Sequence, residues 1–265
     1  MKPVIALLTD FGLQDHYVGT MKGVILGICD EATLVDITHD IPPQDVLSAS
    51  LELRSSYRFF PAGTVFVVVV DPAVGTARRG IAASAGGYRF VAPDNGVLTG
   101  VLADRPASVV ELTNARYALP DVTRTFEGRD RFAPAAGWLA RGTPLEDLGP
   151  RVDDVQRLEI PAPQVSPHAI AGCILRVDRF GNLITNIDRA ALASASLDRG
   201  VRLHAGEQRV DRFVSTYAEV AEGEVCALIG SSGFVEIAAN RDSAARRLGL
   251  GRGATVRAVA ESSRT

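Results

Sequence analysis

The sequence is short of the residues that would staple a small fold or mark a common cofactor chemistry. Its 265 residues include three cysteines, Cys29, Cys173 and Cys226, odd in number, far apart and never in a C-x-x-C pair. That spacing excludes a disulfide framework and a zinc knuckle, and each cysteine reads as a small buried thiol. The four histidines, His16, His39, His168 and His204, are scattered without metal-ligand spacing, so no metal is expected. No charge sign dominates: 28 Lys and Arg against 31 Asp and Glu give a net charge of −3. With no basic field to hold a phosphate backbone, nucleic acid is not an expected partner. Long apolar runs are missing as well. The first, residues 4–8, closes at Thr9-Asp10 and is too short for a signal peptide or a bilayer span. The chain therefore reads as cytoplasmic, with no membrane partner. There is no P-loop, no G-x-G-x-x-G after the first strand and no H-E-x-x-H, and no cofactor is expected. Gly230-Ser231-Ser232-Gly233 lacks the G-x-S-x-G spacing and no histidine follows it, which excludes a serine-hydrolase elbow.

What is present is an ordinary globular composition, 46% hydrophobic and 22% charged, long enough for two modest domains. Residues 4–8 form a continuous apolar run, suited to a strand covered on both faces of a parallel sheet. Val18, Met21, Val24, Ile25 and Ile28 recur at helical spacing, and residues 33–37 are again strand-like, which completes one β-α-β unit. The pattern continues with a helix over 46–57 and strands over 64–70, 81–85, 88–91 and 109–112. A further helix is predicted from residue 131 or 132 to 140 with Asp130 as its cap. Pro161, Pro163 and Pro167 suspend regular structure and suggest a linker. Beyond it, short β-rich runs at 170–177, 201–204, 225–229, 234–238 and 255–259 predict a small antiparallel barrel or sandwich, interrupted by one helix over 243–248. The expected architecture is an α/β sandwich domain with a mostly parallel sheet over 1–160 and an antiparallel β-barrel-like domain over 168–265.

Polar residues cluster just after predicted strands: Asp10 after the first, Asp71 after the third, and Asp94-Asn95-Gly96 after the fourth or fifth. In open α/β sheets the ligand crevice lies beyond the carboxyl ends of the strands, so the three turns are expected to converge on one pocket. Each alone is also common turn and cap chemistry.

The residues also carry a resemblance. LLTDFG (7–12), DHYVGTMKG (15–23), VVDPAVGTARR (69–79), APDNG (92–96), TFEGRDRFAPAA (125–136), VDRFGNLITN (177–186), TYAEV (216–220) and GSSGFVEIAAN (230–240) occur in order along nearly the whole chain. It resembles the S-adenosyl-L-methionine (SAM) hydroxide adenosyltransferases, or SAM hydrolases, relatives of fluorinase and chlorinase. The resemblance implies a homotrimer with SAM bound between the N-terminal domain of one subunit and the C-terminal domain of its neighbour. It assigns Asp10 to the ribose hydroxyls, a task suited to a carboxylate that takes two donors side by side. Phe180 and Asn182 would hold adenine, with Tyr217 as a second aromatic wall. Asp178, Ser231 and Glu236 would face the methionine portion.

The reaction so implied is attack of water or hydroxide on C5′ of SAM, releasing adenosine and L-methionine. The sulfonium leaves as a neutral thioether, so the protein's task is to dehydrate, orient and partly deprotonate one water. The family uses an Asp, an Arg and a His. Asp71 and Arg78 match the first two, across a turn that Gly75 allows to bend sharply. The third differs: the T-F-H-G-R-D pattern reads Thr125-Phe126-Glu127-Gly128-Arg129-Asp130 here, so Glu127 stands at the histidine position. Two carboxylates facing one nucleophile can share a proton. The alternative is a protein that binds or senses SAM or adenosine without turnover. A halogenase is disfavoured because carboxylates repel an anionic nucleophile.

Overall fold

The computed structural model describes residues 2–197 and 201–260 and divides into two compact units, Met1–Glu159 and Ile160–Thr265. The first carries strands β1 (Val4–Thr9), β2 (Thr33–Thr38), β3 (Val65–Val69), β4 (Gly80–Ala85), β5 (Tyr88–Pro93) and β6 (Ala107–Glu111). Its helices are α1 (Tyr17–Ile28), α2 (Val46–Ser56), α3 (Thr99–Asp104) and α4 (Ala133–Ala140). The sheet order is β2-β1-β3-β5-β4-β6, parallel from β2 through β5 and antiparallel at β4 and β6.

Strand alternation divides the core. Ala6, Leu8, Phe66 and Val68 face α2 and α3, while Ile5, Leu7, Val65 and Val67 face α1 and α4. Both faces of the central strands are thus buried, the reason β1 and β3 read as unbroken apolar runs. The parallel connections bring the carboxyl ends of β1, β3 and β5 to one edge of the sheet.

The predicted cap is corrected. Helical structure begins earlier, as a π-helical turn over Gly128–Phe132 that runs into α4, and Asp130 lies inside that turn. Its fully buried carboxylate accepts hydrogen bonds from Thr123 N (2.8 Å), Thr123 Oγ1 (2.6 Å) and Arg129 Nε (2.6 Å), so it ties the 121–127 segment to the helix. Burial opposes that charge, but the hydrogen bonds from Arg129 and Thr123 outweigh it and hold the carboxyl below the usual range. The short α3 was not anticipated in the sequence.

The second unit contains β7 (Gln164–Ser166), β8 (Ala169–Val177), β9 (Leu183–Asp188), β10 (Val201–Ala205), β11 (Gln208–Val210), β12 (Val225–Ile229), β13 (Phe234–Ala239) and β14 (Thr255–Ala260). Two short helices, α5 (Arg189–Ser194) and α6 (Ala244–Leu248), accompany them. Every pairing between these strands is antiparallel, in the order β11-β10-β14-β8-β9-β13-β12 with β7 on β8, a nearly closed sheet around an aliphatic core. Four elements correct the sequence reading, the short β11 among them. β7 forms between Pro163 and Pro167 as a three-residue strand; β9, hidden in the motif LITN, is almost fully buried; α5 is a second helix. Among the described residues, no helix is long and apolar enough to cross a membrane. Cys29 and Cys226 are buried and Cys173 is half-buried, all three free.

Candidate active site

In the first unit a hollow of about 360 Å³ opens at the carboxyl ends of β1 and β3, and Asp10, Asp71 and Glu127 line it. Asp10 follows β1, and its Oδ2 accepts the Gln44 amide at 2.8 Å. Asp71 follows β3 and begins a compact turn closed by the hydrogen bonds Val74 N to Asp71 O and Thr76 N to Ala73 O. Gly75 sits in this turn at φ +80°, where a Cβ would lie 2.6 Å from the Arg124 carbonyl oxygen; left-handed backbone and lack of room both select glycine. The turn returns the chain so that Arg78 Nε donates to Asp71 Oδ1 (2.9 Å) and Oδ2 (3.0 Å), and Arg78 Nη2 donates to Asp71 Oδ2 as well.

Arg78 also reaches across to Glu127: Nη2 donates to Glu127 Oε2 at 2.9 Å. The three side chains are 5%, 8% and 11% exposed for Asp71, Arg78 and Glu127. Burial works against the guanidinium charge, but the hydrogen bonds and charges of Asp71 and Glu127 outweigh it and raise the arginine pKa further. Nη1 donates to the Arg79 carbonyl (3.1 Å), so the guanidinium is fixed on three sides. Aromatic rings form another wall. Phe11, Tyr17 and Phe126 contact one another with centroids 5.1–5.9 Å apart. Sequence reasoning did not single out these three as site residues, although they lie inside the motifs TDFG, DHYVG and TFEG.

Asp94 corrects the expected convergence of three strand-end turns. Although it follows β5 at the same sheet edge, its side chain is 1% exposed and is consumed by Arg79 (2.7 Å) and the Gln156 amide (2.9 Å). It is not among the residues lining the hollow. Asn95 closes the end of β3 by donating to the Val70 carbonyl at 2.8 Å. These two residues brace the loops that carry Asp71 and Arg78.

In the second unit a separate hollow of about 670 Å³ brings together Asp178, Phe180, Asn182, Tyr217, Ser231 and Glu236. Asp178 accepts from Phe180 N (2.9 Å), Asn182 N (2.8 Å) and Asn182 Nδ2 (2.9 Å), building the tight turn after β8. Gly181 at φ +86° completes that turn against Ser243, the N-cap of α6, where a Cβ would fall 2.0 Å from the serine Oγ. The turn holds Phe180 out, 77% exposed, and Tyr217 is 39% exposed, so neither ring belongs to the barrel core. Glu236 on β13 is buried and accepts the Tyr217 hydroxyl at 2.6 Å. Burial raises its pKa and Asp178 adds to that rise, more than the tyrosine hydrogen bond lowers it; burial and the Glu236 contact likewise raise the tyrosine's. Arg241 and Arg246 also line this hollow and were missed. Arg241 carries a polar strand-end signal, just after β13, whereas Arg246 lies on α6, where no such signal marks it. Among the described residues no cluster of His, Cys, Asp or Glu is arranged to hold a metal ion.

Known proteins resemble this chain over nearly its whole length. The chain is 41% identical to an (R)-S-adenosyl-L-methionine hydrolase of Thermus thermophilus, over 97% of this chain and 99% of that one. It is 32% identical to a fluorinase of Actinopolyspora mzabensis, over 97% of each. A crystal structure of an uncharacterized conserved protein from Thermotoga maritima superposes with a TM-score of 0.91 at 37% identity, covering 96% of this chain and 99% of the other. Residues 5–149 match the SAM hydroxide adenosyltransferase N-terminal domain and residues 172–257 match the C-terminal domain, so the chain belongs to the SAM hydroxide adenosyltransferase family.

Proposed function

We propose that the protein is a SAM hydrolase, converting S-adenosyl-L-methionine and water into adenosine and L-methionine. The observation that carries this reading is the buried Asp71–Arg78–Glu127 cluster, whose two carboxylates line the strand-end hollow. Arg78 holds the two carboxylates at fixed separation, and Glu127 Oε1 accepts no hydrogen bond among the described residues. That oxygen takes the proton of a water as the water's oxygen bonds to C5′ and the C5′–S bond breaks. The electron pair of that bond goes to sulfur, the sulfonium becomes a neutral thioether, and no acid is needed at the leaving group. Asp71 orients the water in line with the departing sulfur.

In this reading Asp10 takes the ribose hydroxyls; its Oδ1 accepts no hydrogen bond among the described residues. Phe180 and Asn182 hold adenine, with Tyr217 beside them, while Asp178, Ser231 and Glu236 face the methionine end. The working assembly is a homotrimer in which the first unit of one protomer and the second unit of its neighbour enclose the substrate. A cytoplasmic location agrees with three free thiols. Incubating the pure protein with SAM and separating the products by chromatography tests the reading: adenosine and methionine in equal amounts support it. SAM bound without adenosine release would instead establish a binding or sensing protein.

A further inference from the structure

The first unit contains a buried histidine that the chemistry above does not use. His39 follows β2 and is 4% exposed. Its Nδ1 lies 2.8 Å from Thr9 Oγ1, on the last residue of β1, and its Nε2 lies 3.0 Å from Asp36 Oδ1, at ion-pair distance but out of line for a hydrogen bond. Lys22 Nζ donates to the other Asp36 oxygen at 2.7 Å. On the far side, Thr9 Oγ1 accepts the Phe11 amide at 3.2 Å. The Asp36 contact acts on the ring through charge, since Nε2 makes no aligned hydrogen bond among the described residues, and that charge sets the direction of the Thr9 hydrogen bond. A ring nitrogen facing a carboxylate carries its proton there, because a lone pair would be repelled; Nε2 is therefore the protonated nitrogen and Nδ1 the acceptor. The Thr9 hydroxyl then donates to Nδ1, which leaves its oxygen free to receive Phe11 N–H.

The chain ends in the turn that holds Asp10. Phe11 N is tied to the Thr9 side chain, and Gly12 N donates to the His39 carbonyl at 2.8 Å, so the two residues after Asp10 are anchored to the β1 end and the β2 end respectively. Asp10 itself meets the Gln44 amide. We propose that His39 and Thr9 are positioning residues: the run Lys22–Asp36–His39–Thr9 sets the turn after β1 and thereby aims the Asp10 carboxylate into the hollow. The functional half of this inference rests on Asp10 as the ribose acceptor; the structural half does not.

The Thr9→Val substitution keeps shape and strand preference while removing the hydroxyl, and Thr9→Ser keeps the hydroxyl. In Thr9→Val the Gln44 amide, which reports the position of the Asp10 oxygen, exchanges hydrogen for deuterium faster than in the wild type, and Thr9→Ser restores its protection. The KM for SAM rises roughly 10-fold, as expected for one lost buried hydrogen bond, with kcat within about twofold, since Asp71 and Glu127 lie on other segments. Unchanged Gln44 exchange in a folded Thr9→Val protein overturns the positioning role. Faster exchange with unchanged KM retains that role and removes Asp10 from the ribose site. If Thr9→Val fails to fold, the nitrogen chemical shifts of His39 in the wild type decide: a proton on Nε2 is required, and one on Nδ1 alone refutes the chain.

Discussion

Glu127→Gln isolates the chemistry from the scaffold. Glutamine has nearly the same volume and an amide oxygen able to accept the 2.9 Å hydrogen bond from Arg78 Nη2. The clamp on Arg78 survives while a charge and a base are removed. The buried setting gives the charge weight: two unit charges about 4 Å apart at an effective dielectric of about 20 interact by about 4 kcal/mol. Arg78 retains its double contact with Asp71, so the expected damage lies in the transition state, a turnover about 10- to 10⁴-fold lower. Adenosine release at saturating SAM measures kcat, and calorimetry with SAM measures binding, which should stay within a few fold. Glu127→His, restoring the ring that the family pattern carries, should recover much of the lost rate. Near-wild-type turnover in Glu127→Gln would refute the reasoning and leave Glu127 as a mere partner of Arg78.

Three further outcomes follow from other parts of the structure. Asp10→Ala should weaken SAM and adenosine binding alike by about 1.5–3 kcal/mol, the worth of a charge-assisted hydrogen bond, and calorimetry with equal adenosine affinities in both proteins would remove Asp10 from the site. Mixing inactive Asp71→Ala and Asn182→Ala proteins should restore some turnover after subunit exchange if sites join two chains, and a monomer by light scattering would contradict this. Glu236 has a folded-state pKa raised above its ordinary 4.5, so its stabilising contribution is full below that pH and lost as pH rises through the folded value. Glu236→Gln should therefore raise Tm relative to the wild type at pH 7 and lose this advantage on acidification below about 4.5; a difference constant with pH would rule out the titration of this group as its source.

The sequence was most legible where one physical preference dominates. β1 and β3 could be read because two covered faces demand unbroken apolar runs, and α1 because Met21 and Ile25 recur at the helical period on the face that meets the sheet. β9 was hidden because its polar Thr185 and Asn186 are satisfied inside the fold, by the Val235 carbonyl and by the Cys173 amide and Pro161 carbonyl, contacts between distant segments that no local pattern displays. Asp130 misled for a related reason. An aspartate before an apolar run is ordinary cap chemistry, yet here Arg129 and Thr123 satisfy it within a π-helical turn. Among the acids after β1, β3 and β5, strand-end position marked all three as candidates. Only the structure separates Asp10 and Asp71, which face the hollow, from Asp94, which Arg79 occupies.

The same geometry bears on the nucleophile. The fluorinase relative shares 32% of its residues with this chain, so the fold alone does not choose between halide and water. Charge does. Asp10, Asp71 and Glu127 line the hollow of the first unit with no lysine or arginine in its lining; Arg78 lies behind Asp71 with its guanidinium already committed to both carboxylates and the Arg79 carbonyl. The Asp71–Arg78–Glu127 cluster carries a net charge of −1, and at about 5 Å and an effective dielectric of about 20 one net negative charge disfavours an entering anion by about 3 kcal/mol and favours a sulfonium cation by as much. A neutral water incurs no such penalty and gains a hydrogen-bond acceptor from each carboxylate it meets. Glutamate at position 127 therefore excludes halide more strongly than a neutral histidine would, while leaving water a base.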